Sequence, residues 1–167
     1  MFSEDPKSKK KTAIFYLSCL LVIFLDQLSK YFIRYTFQLG DGVCIVKNIF
    51  SICYIKNQGI AFGLLANFKE IFIYVNIVLV IIFIFIYQKI KRQMNQIIIS
   101  LIFGLIIGGA ISNIMDRILF NGVVDFLDIG WKKIRWPAFN LADMSICTGM
   151  VLLCFFILRE DKEKKIS

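Results

Sequence analysis

Four long apolar runs, at residues 13–33, 71–87, 97–115 and 139–158, restrict this chain to one class of fold. Each is close to the roughly 20 residues a helix needs to cross a hydrocarbon core of about 30 Å. In lipid a spanning segment must satisfy its own backbone hydrogen bonds, which a helix does. The chain is 58% hydrophobic with a mean hydropathy of +0.72, too apolar for a soluble domain of 167 residues. The expected fold is integral membrane and mainly α, as one membrane-embedded domain over residues 1–167. Its four transmembrane helices fall at about 13–33, 71–88, 97–116 and 138–158, with outer loops at 34–70 and 117–137.

Charge placement orients these helices. Lys7, Lys9, Lys10 and Lys11 precede the first run, Lys89, Lys91 and Arg92 separate the second from the third, and Arg159, Lys162, Lys164 and Lys165 follow the fourth. With four spans these segments share one side, and they hold 11 of the 20 basic residues. The positive-inside rule makes that side cytoplasmic, with both termini on it. Helix flanks account for the net charge of +8, so nucleic acid is not an expected partner. The basic start followed by an apolar run resembles a signal peptide, but the run continues past Cys19 to Leu25 and reads as an uncleaved helix.

The chain has no histidine, which removes Ser-His and Cys-His nucleophile pairs and most zinc sites. Its five cysteines show no metal spacing. Cys19, Cys147 and Cys154 lie in apolar runs and suit packing. Cys44 and Cys53 share the first outer loop, nine residues apart across a hairpin, a spacing that more often leaves such a pair free than bonded. Residues 43–46 and 49–55 are rich in β-formers and predict a small sheet on the outer face between helices 1 and 2. Gly59 and Gly63 bracket a second turn, and Pro137 suits the first turn of the last helix. Gly104, Gly108 and Ser112 recur every four residues, a face of small side chains on which another helix can pack closely.

The polar residues converge at one depth. Asp26 lies 13 residues beyond Ala13, about 20 Å up from the inner side at 1.5 Å per residue. Lys30 is one turn further out on the same face. Asn113, Asp116 and Arg117 share a face at the outer end of the third run, as do Asn140 and Asp143 at the start of the fourth. Asp125 lies in an apolar setting of Val123, Val124 and Phe126 just ahead of that run. Carboxylates buried at a membrane are costly and mark function by default. Two at one depth can share a proton, one as acid and one as base. Asp26–Lys30 and Asp116–Arg117 also read as structural ion pairs, and Asp128 as a solvated loop carboxylate. The inner halves of the helices carry no charge, unlike a proton or ion pathway, which needs polar groups through the midplane.

Five motifs in order carry a resemblance. Asp26-Gln27-Leu28-Ser29-Lys30 resembles D-Q-x-x-K, and Asn57-Gln58-Gly59-Ile60-Ala61-Phe62 resembles N-x-G-x-A-F. The stretch from Gly108 to Arg117 resembles G-G-x-x-G-N-x-x-D-R, with Ser112 where glycine is usual. Val123-Val124-Asp125-Phe126 resembles V-V-D-F, and Phe139-Asn140-Leu141-Ala142-Asp143 resembles F-N-x-A-D. This ordered set is similar to that of the lipoprotein signal peptidases, or signal peptidase II.

The resemblance implies a bacterial inner-membrane aspartic endopeptidase, with its site toward the outer leaflet. Such enzymes cut the signal peptide from a prolipoprotein before a diacylglyceryl-modified cysteine, are inhibited by the cyclic peptide globomycin, and use no metal or organic cofactor. The catalytic aspartates match Asp125 and Asp143. Asp26, Lys30, Asn57, Gly59, Asn113, Asp116, Arg117, Asn140 and Ala142 match positions that line or brace the site. One carboxylate, as base, takes a proton from water, and the other, protonated, polarises the carbonyl and later donates to the leaving amine. Expected partners are the prolipoprotein, membrane lipids and globomycin-type inhibitors, with the chain acting as a monomer. Two other readings stand beside this one: a lipid-binding assembly factor whose carboxylates latch helices together, and a small ion-coupled carrier, which the uncharged inner halves disfavour.

Overall fold

The structure, a computed structural model, describes residues 6–59, 69–93, 97–132 and 134–166. Among the described residues four helices are long and apolar enough to cross a membrane, over Ser8–Thr36, Ile71–Ile90, Ile97–Phe120 and Leu141–Arg159. The chain is a multi-pass membrane protein. The helices are α1 (Pro6–Thr36), α2 (Lys69–Gln93), α3 (Ile97–Phe120) and α4 (Leu141–Ile166). Between them lie strands β1 (Gly42–Val46), β2 (Phe50–Asn57), β3 (Val123–Trp131) and β4 (Ile134–Arg135).

α3 is the axis of the bundle, and α1, α2 and α4 all pack on it. The small-residue stripe explains how. A Cβ on Gly108 would lie 2.8 Å from Cys19 O, and one on Gly104 would meet Phe15 O at 2.9 Å, so this face seats the α1 backbone. Gly109 points to a different helix, because its Cβ would lie 2.5 Å from Ala142 O on α4. Away from the outer face, Phe15, Tyr87, Ile99, Phe103, Ile107 and Leu153 form a core that ties all four helices together. Tyr87 stacks on Phe15 and hydrogen-bonds Ser100 at 3.0 Å. α2 presents Tyr74, Val78, Ile82 and Phe85 outward. In water such a surface would be a liability, but in lipid it is the solvent interface.

The four strands form one antiparallel sheet in the order β1-β2-β3-β4. The outer-face sheet is therefore present but larger than expected. Its second half comes from the segment between helices 3 and 4, which sequence placed in a loop. Asp125, Asp128 and Gly130 interrupt the apolar pattern of β3, and its partner β2 is some 70 residues away. Asn121, in the left-handed region at φ 58°, and Gly122 link α3 to β3 within two residues. This short link keeps the end of α3 beside the start of β3. Ile33, Val124 and Phe126 form a second small core under the sheet.

Several boundaries differ from expectation. α1 continues to Thr36 and α3 to Phe120. α4 begins at Leu141, so Pro137 lies outside it, in a segment that pairs Phe139 with Leu127 of β3. Cys44 and Cys53 are both free, with Cys44 opposite Ser51 and Cys53 opposite Gly42. The second turn region lies beyond the described residues after Gly59.

Candidate active site

The start of α4 is a capping box. Asn140 Oδ1 accepts from Asp143 N at 2.9 Å, and Asp143 Oδ2 accepts from Asn140 N at 3.2 Å. The first bond of the helix ladder, from Met144 N to Asn140 O at 3.2 Å, follows. Asp143 is thus fixed at the third helical position by a local device, at the positive end of the helix dipole.

Asp125 comes from β3, opposite Ile55 of β2, and is 3% exposed. Asn57, at the end of β2, donates Nδ2 to Asp125 Oδ2 at 3.0 Å. The Gly59 N–H holds Asn57 Oδ1 at 3.1 Å, which turns the amide so that its NH2 faces the carboxylate. Asn140 donates Nδ2 to the other oxygen of Asp125 at 2.7 Å. Asn113 of α3 completes the circuit: its Nδ2 donates to Asp143 Oδ1 at 2.7 Å, and its Oδ1 accepts from Asn140 Nδ2 at 3.3 Å. Two asparagines therefore bridge the two aspartates, and each has its orientation set by donors and acceptors on opposite ends of the amide.

Behind this pair lies a fully buried ionic cluster. Lys30 Nζ contacts Asp26 at 2.6 Å, Asp116 at 2.9 Å and Asn113 Oδ1 at 3.1 Å, so its three N–H groups all have partners. Asp26 Oδ1 accepts from Ala142 N at 2.9 Å, the residue before Asp143. Asp116 Oδ2 accepts from Val124 N at 3.0 Å, the residue before Asp125. Asp26 Oδ2 also takes Ser112 Oγ at 2.7 Å, and Asp116 Oδ1 takes Gln27 Nε2 at 2.8 Å. Buried charges persist where each carboxylate oxygen and each ammonium proton has a partner, as here.

Asp26 and Lys30 do form the expected pair, but Asp116 joins Lys30 rather than Arg117. Successive helix residues do not face each other, and Arg117 Nη1 instead donates to Asn113 O at 3.2 Å. Asp128 is not a free loop carboxylate: it forms an ion pair with Arg135 and accepts from its Nε at 2.9 Å. That contact holds the Arg135 guanidinium above its ordinary pKa. Asp125 and Asp143 both line one cavity of about 590 Å3. Its wall includes Asn57, Arg135, Trp136, Phe139, Met144 and Cys147. The charged groups share this groove with a largely apolar wall.

Burial, and then the charge of Asp143, push the Asp125 carboxyl up to about 7, against hydrogen bonds from Asn57 and Asn140. Burial, and then Asp128 and Asp125, push the nearby Cys53 thiol up to about 11. Among the described residues no cluster of three Cys, Asp or Glu has the arrangement of a metal site. All eleven residues singled out from sequence lie in or against this site, which Arg117 meets through the backbone carbonyl of Asn113. Sequence reading left out Gln27 and Ser112 as polar partners, although both lie within the recognised motifs. It also left out the groove wall, whose residues carry no chemical signature of their own.

Comparison with known proteins gives the family of the chain. The family model described as Signal peptidase (SPase) II matches residues 18–159. The lipoprotein signal peptidase of Moorella thermoacetica is 42% identical over 144 residues, covering 86% of this chain and 92% of its own. That of Halothermothrix orenii is 40% identical over 147 residues, covering 88% and 97%. Two solved structures of bacterial membrane enzymes also match. One superposes with a TM-score of 0.79 at 28% identity over 90% of each chain, and the other with 0.74 at 30% identity over 86% of this chain and 92% of its own.

Proposed function

The chain belongs to the signal peptidase II family, and from that premise we propose that it removes the signal peptide from diacylglyceryl-modified bacterial prolipoproteins, with Asp125 and Asp143 as its catalytic pair. The observation that carries this reading is the convergence of both carboxylates on one groove, bridged by Asn113 and Asn140. Two carboxyls so arranged titrate together, and one holds a proton near neutral pH.

Asp125, the more deeply buried and with its pKa near 7, is the acid. Asp143 is the base. It takes a proton from water, whose oxygen attacks the carbonyl carbon before the lipidated cysteine. Asp125 donates a hydrogen bond to the carbonyl oxygen as charge builds there, then gives its proton to the amine as the C–N bond breaks. The pair ends with one proton, as it began, on the other partner. Asn57, Asn113 and Asn140 keep both carboxylates in reach of one peptide bond. Preset geometry of this kind supplies much of a rate enhancement. Asp26, Lys30 and Asp116 brace the residues next to each aspartate.

The apolar wall around Trp136, Phe139 and Met144 receives the acyl chains, at about 0.8 kcal/mol per buried methylene. Lipid as well as peptide is then part of what is recognised. Globomycin-type cyclic peptides would compete for the same groove. The basic flanks of the helices support an orientation in the bacterial inner membrane with both termini cytoplasmic and the groove toward the outer leaflet. A single copy supplies both aspartates and the asparagines that bridge them, which supports action as a monomer.

The test is cleavage of a diacylglyceryl-modified prolipoprotein by purified protein in detergent. Wild type and Asp41→Asn, a change in the exposed β1 turn, should cleave. Asp125→Asn and Asp143→Asn should fold and be inactive. Equal cleavage by all four would make the carboxylates structural, and a folded wild type without cleavage would point to a lipid-binding role.

A further inference from the structure

Serine hydroxyls inside these helices mostly return to their own backbone. Ser18 Oγ donates to Ile14 O at 2.8 Å, Ser29 Oγ to Leu25 O at 2.8 Å and Ser145 Oγ to Leu141 O at 2.9 Å. This back-bond to the carbonyl one turn earlier is the default for serine in a helix. Ser112 is different. It is fully buried on α3, and its hydroxyl crosses to α1, donating to Asp26 Oδ2 at 2.7 Å. Ser112 Oγ in turn accepts from Gln27 Nε2 at 3.0 Å, and that amide also donates to Asp116 Oδ1 at 2.8 Å. Ser112 and Gln27 thus stitch the two carboxylates of the ionic cluster together: Ser112 shares Asp26 Oδ2 with Lys30, and Gln27 takes the Asp116 oxygen that Lys30 does not.

The position of this stitch matters because of what each carboxylate does with its other oxygen. Asp26 holds the N–H of Ala142, next to Asp143, and Asp116 holds the N–H of Val124, next to Asp125. The cluster therefore touches the backbone beside each member of the pair. Lys30 and one backbone N–H give each carboxylate two points of contact. A hydroxyl on one and an amide on the other fix both rotamers, and with them the separation of the α4 start from β3. We propose that Ser112 is a positioning residue for the aspartate pair: it acts through Asp26 and Gln27 to set the distance between Asp125 and Asp143, and it touches no substrate. The inference rests on the assignment of that pair as catalytic.

The experiment measures kcat and KM for the lipidated prolipoprotein with full-length protein in detergent. The variants are Ser112→Ala, Gln27→Leu, the double variant and Ser29→Ala, with thermal midpoints taken alongside. Ser29 bonds only to its own helix and serves as the control. Removing a hydrogen bond to a charged, buried partner should show as about a tenfold lower kcat, from loss of alignment. KM should stay within about twofold and the midpoint should barely move, because Ser112→Ala keeps the packing of the small-residue face. A side chain that serves only packing would lower the folded fraction and leave the kcat of the folded enzyme intact. The double variant should be no slower than the slower single, since both changes cut one network.

The proposal falls if Ser112→Ala keeps wild-type kcat, if KM rises as kcat holds, or if the two losses multiply. Should Ser112→Ala fail to fold, Gln27→Leu alone decides, because it opens the same stitch from the α1 side. A wild type that cleaves nothing would overturn the catalytic pair itself. A wild type and Ser112→Ala that cleave equally would overturn only the role of Ser112.

Discussion

Asp125 is a carboxyl held in two environments at once, an apolar stretch of β3 that disfavours its charge and two asparagine amides that favour it. Burial wins, and the group titrates near pH 7 instead of 3.8. As the proposed acid of the pair it must be protonated, so kcat should fall about tenfold per pH unit above this value, in a pH series with saturating substrate. The same shift affects stability. A carboxyl whose pKa is raised on folding stabilises the native state fully below its unfolded value, and that contribution is lost as pH rises through the folded one. The window is therefore from about 3.8 to about 7. Asp125→Asn, neutral at every pH, should be inactive yet melt higher than wild type at pH 8. The gain is ~4 kcal/mol at most, from a shift of about three units, and it should shrink toward pH 4. Equal midpoints at pH 8 would mean that Asp125 is not penalised by burial. Asp125 and Asp143 were legible in sequence because charge in an apolar stretch stands out. The partner of Asp116 was not, because Lys30 is 86 residues away and only the α1–α3 packing brings them together.

At the scale of elements, the site hangs on how α4 begins and how closely it meets α3. Asn140 does two tasks that can be separated. Its Oδ1 caps the helix, and its Nδ2 donates to Asp125. Serine is as good a cap as asparagine but has no amide. Asn140→Ser should therefore keep the thermal midpoint and lose at least tenfold in kcat, whereas Asn140→Ala should lose kcat and about 1 kcal/mol of stability as well. An active Asn140→Ser would remove the amide bridge from the mechanism. Gly109→Ala tests the other contact. Its Cβ would press within 2.5 Å of Ala142 O, a backbone atom that cannot turn aside. The α4 start should move away, with activity falling more steeply than in Gly104→Ala, whose closest obstacle is the rotatable Ser18 hydroxyl. The packing stripe was legible because small residues every four positions need no partner to be noticed. The helix start was misread at Pro137 because proline suits a first turn equally well wherever a chain enters one, and the Asn140–Asp143 box decides only once Phe139 is seen bridged to β3.

For the molecule as a whole, chemistry and cohesion are divided between the two ends of the bundle. The ionic cluster, the asparagine bridges and the sheet occupy one end, and the core around Phe15, Tyr87 and Phe103 occupies the other. That division lets a groove remain open to lipid at one level while the helices stay joined below it. Its orientation in the membrane can be tested with thiols the protein already has. Cys44 lies exposed on β1, while Cys53 is partly covered and its thiol is pushed up to about 11, so that it is almost wholly protonated at pH 7.5. The thiolate is the reactive form. In a Cys147→Ala variant, which removes the thiol lining the groove, a membrane-impermeant maleimide added to intact spheroplasts should label Cys44 readily and Cys53 far more slowly. Denaturant should abolish the difference. Labelling of Cys44 only after the membrane is permeabilised would put the sheet, and the groove with it, on the cytoplasmic side. It would also mean that the basic flanks do not orient this bundle. The sheet end would then face away from any substrate whose lipidated cysteine emerges at the outer leaflet, and the peptidase reading would fail on geometry alone.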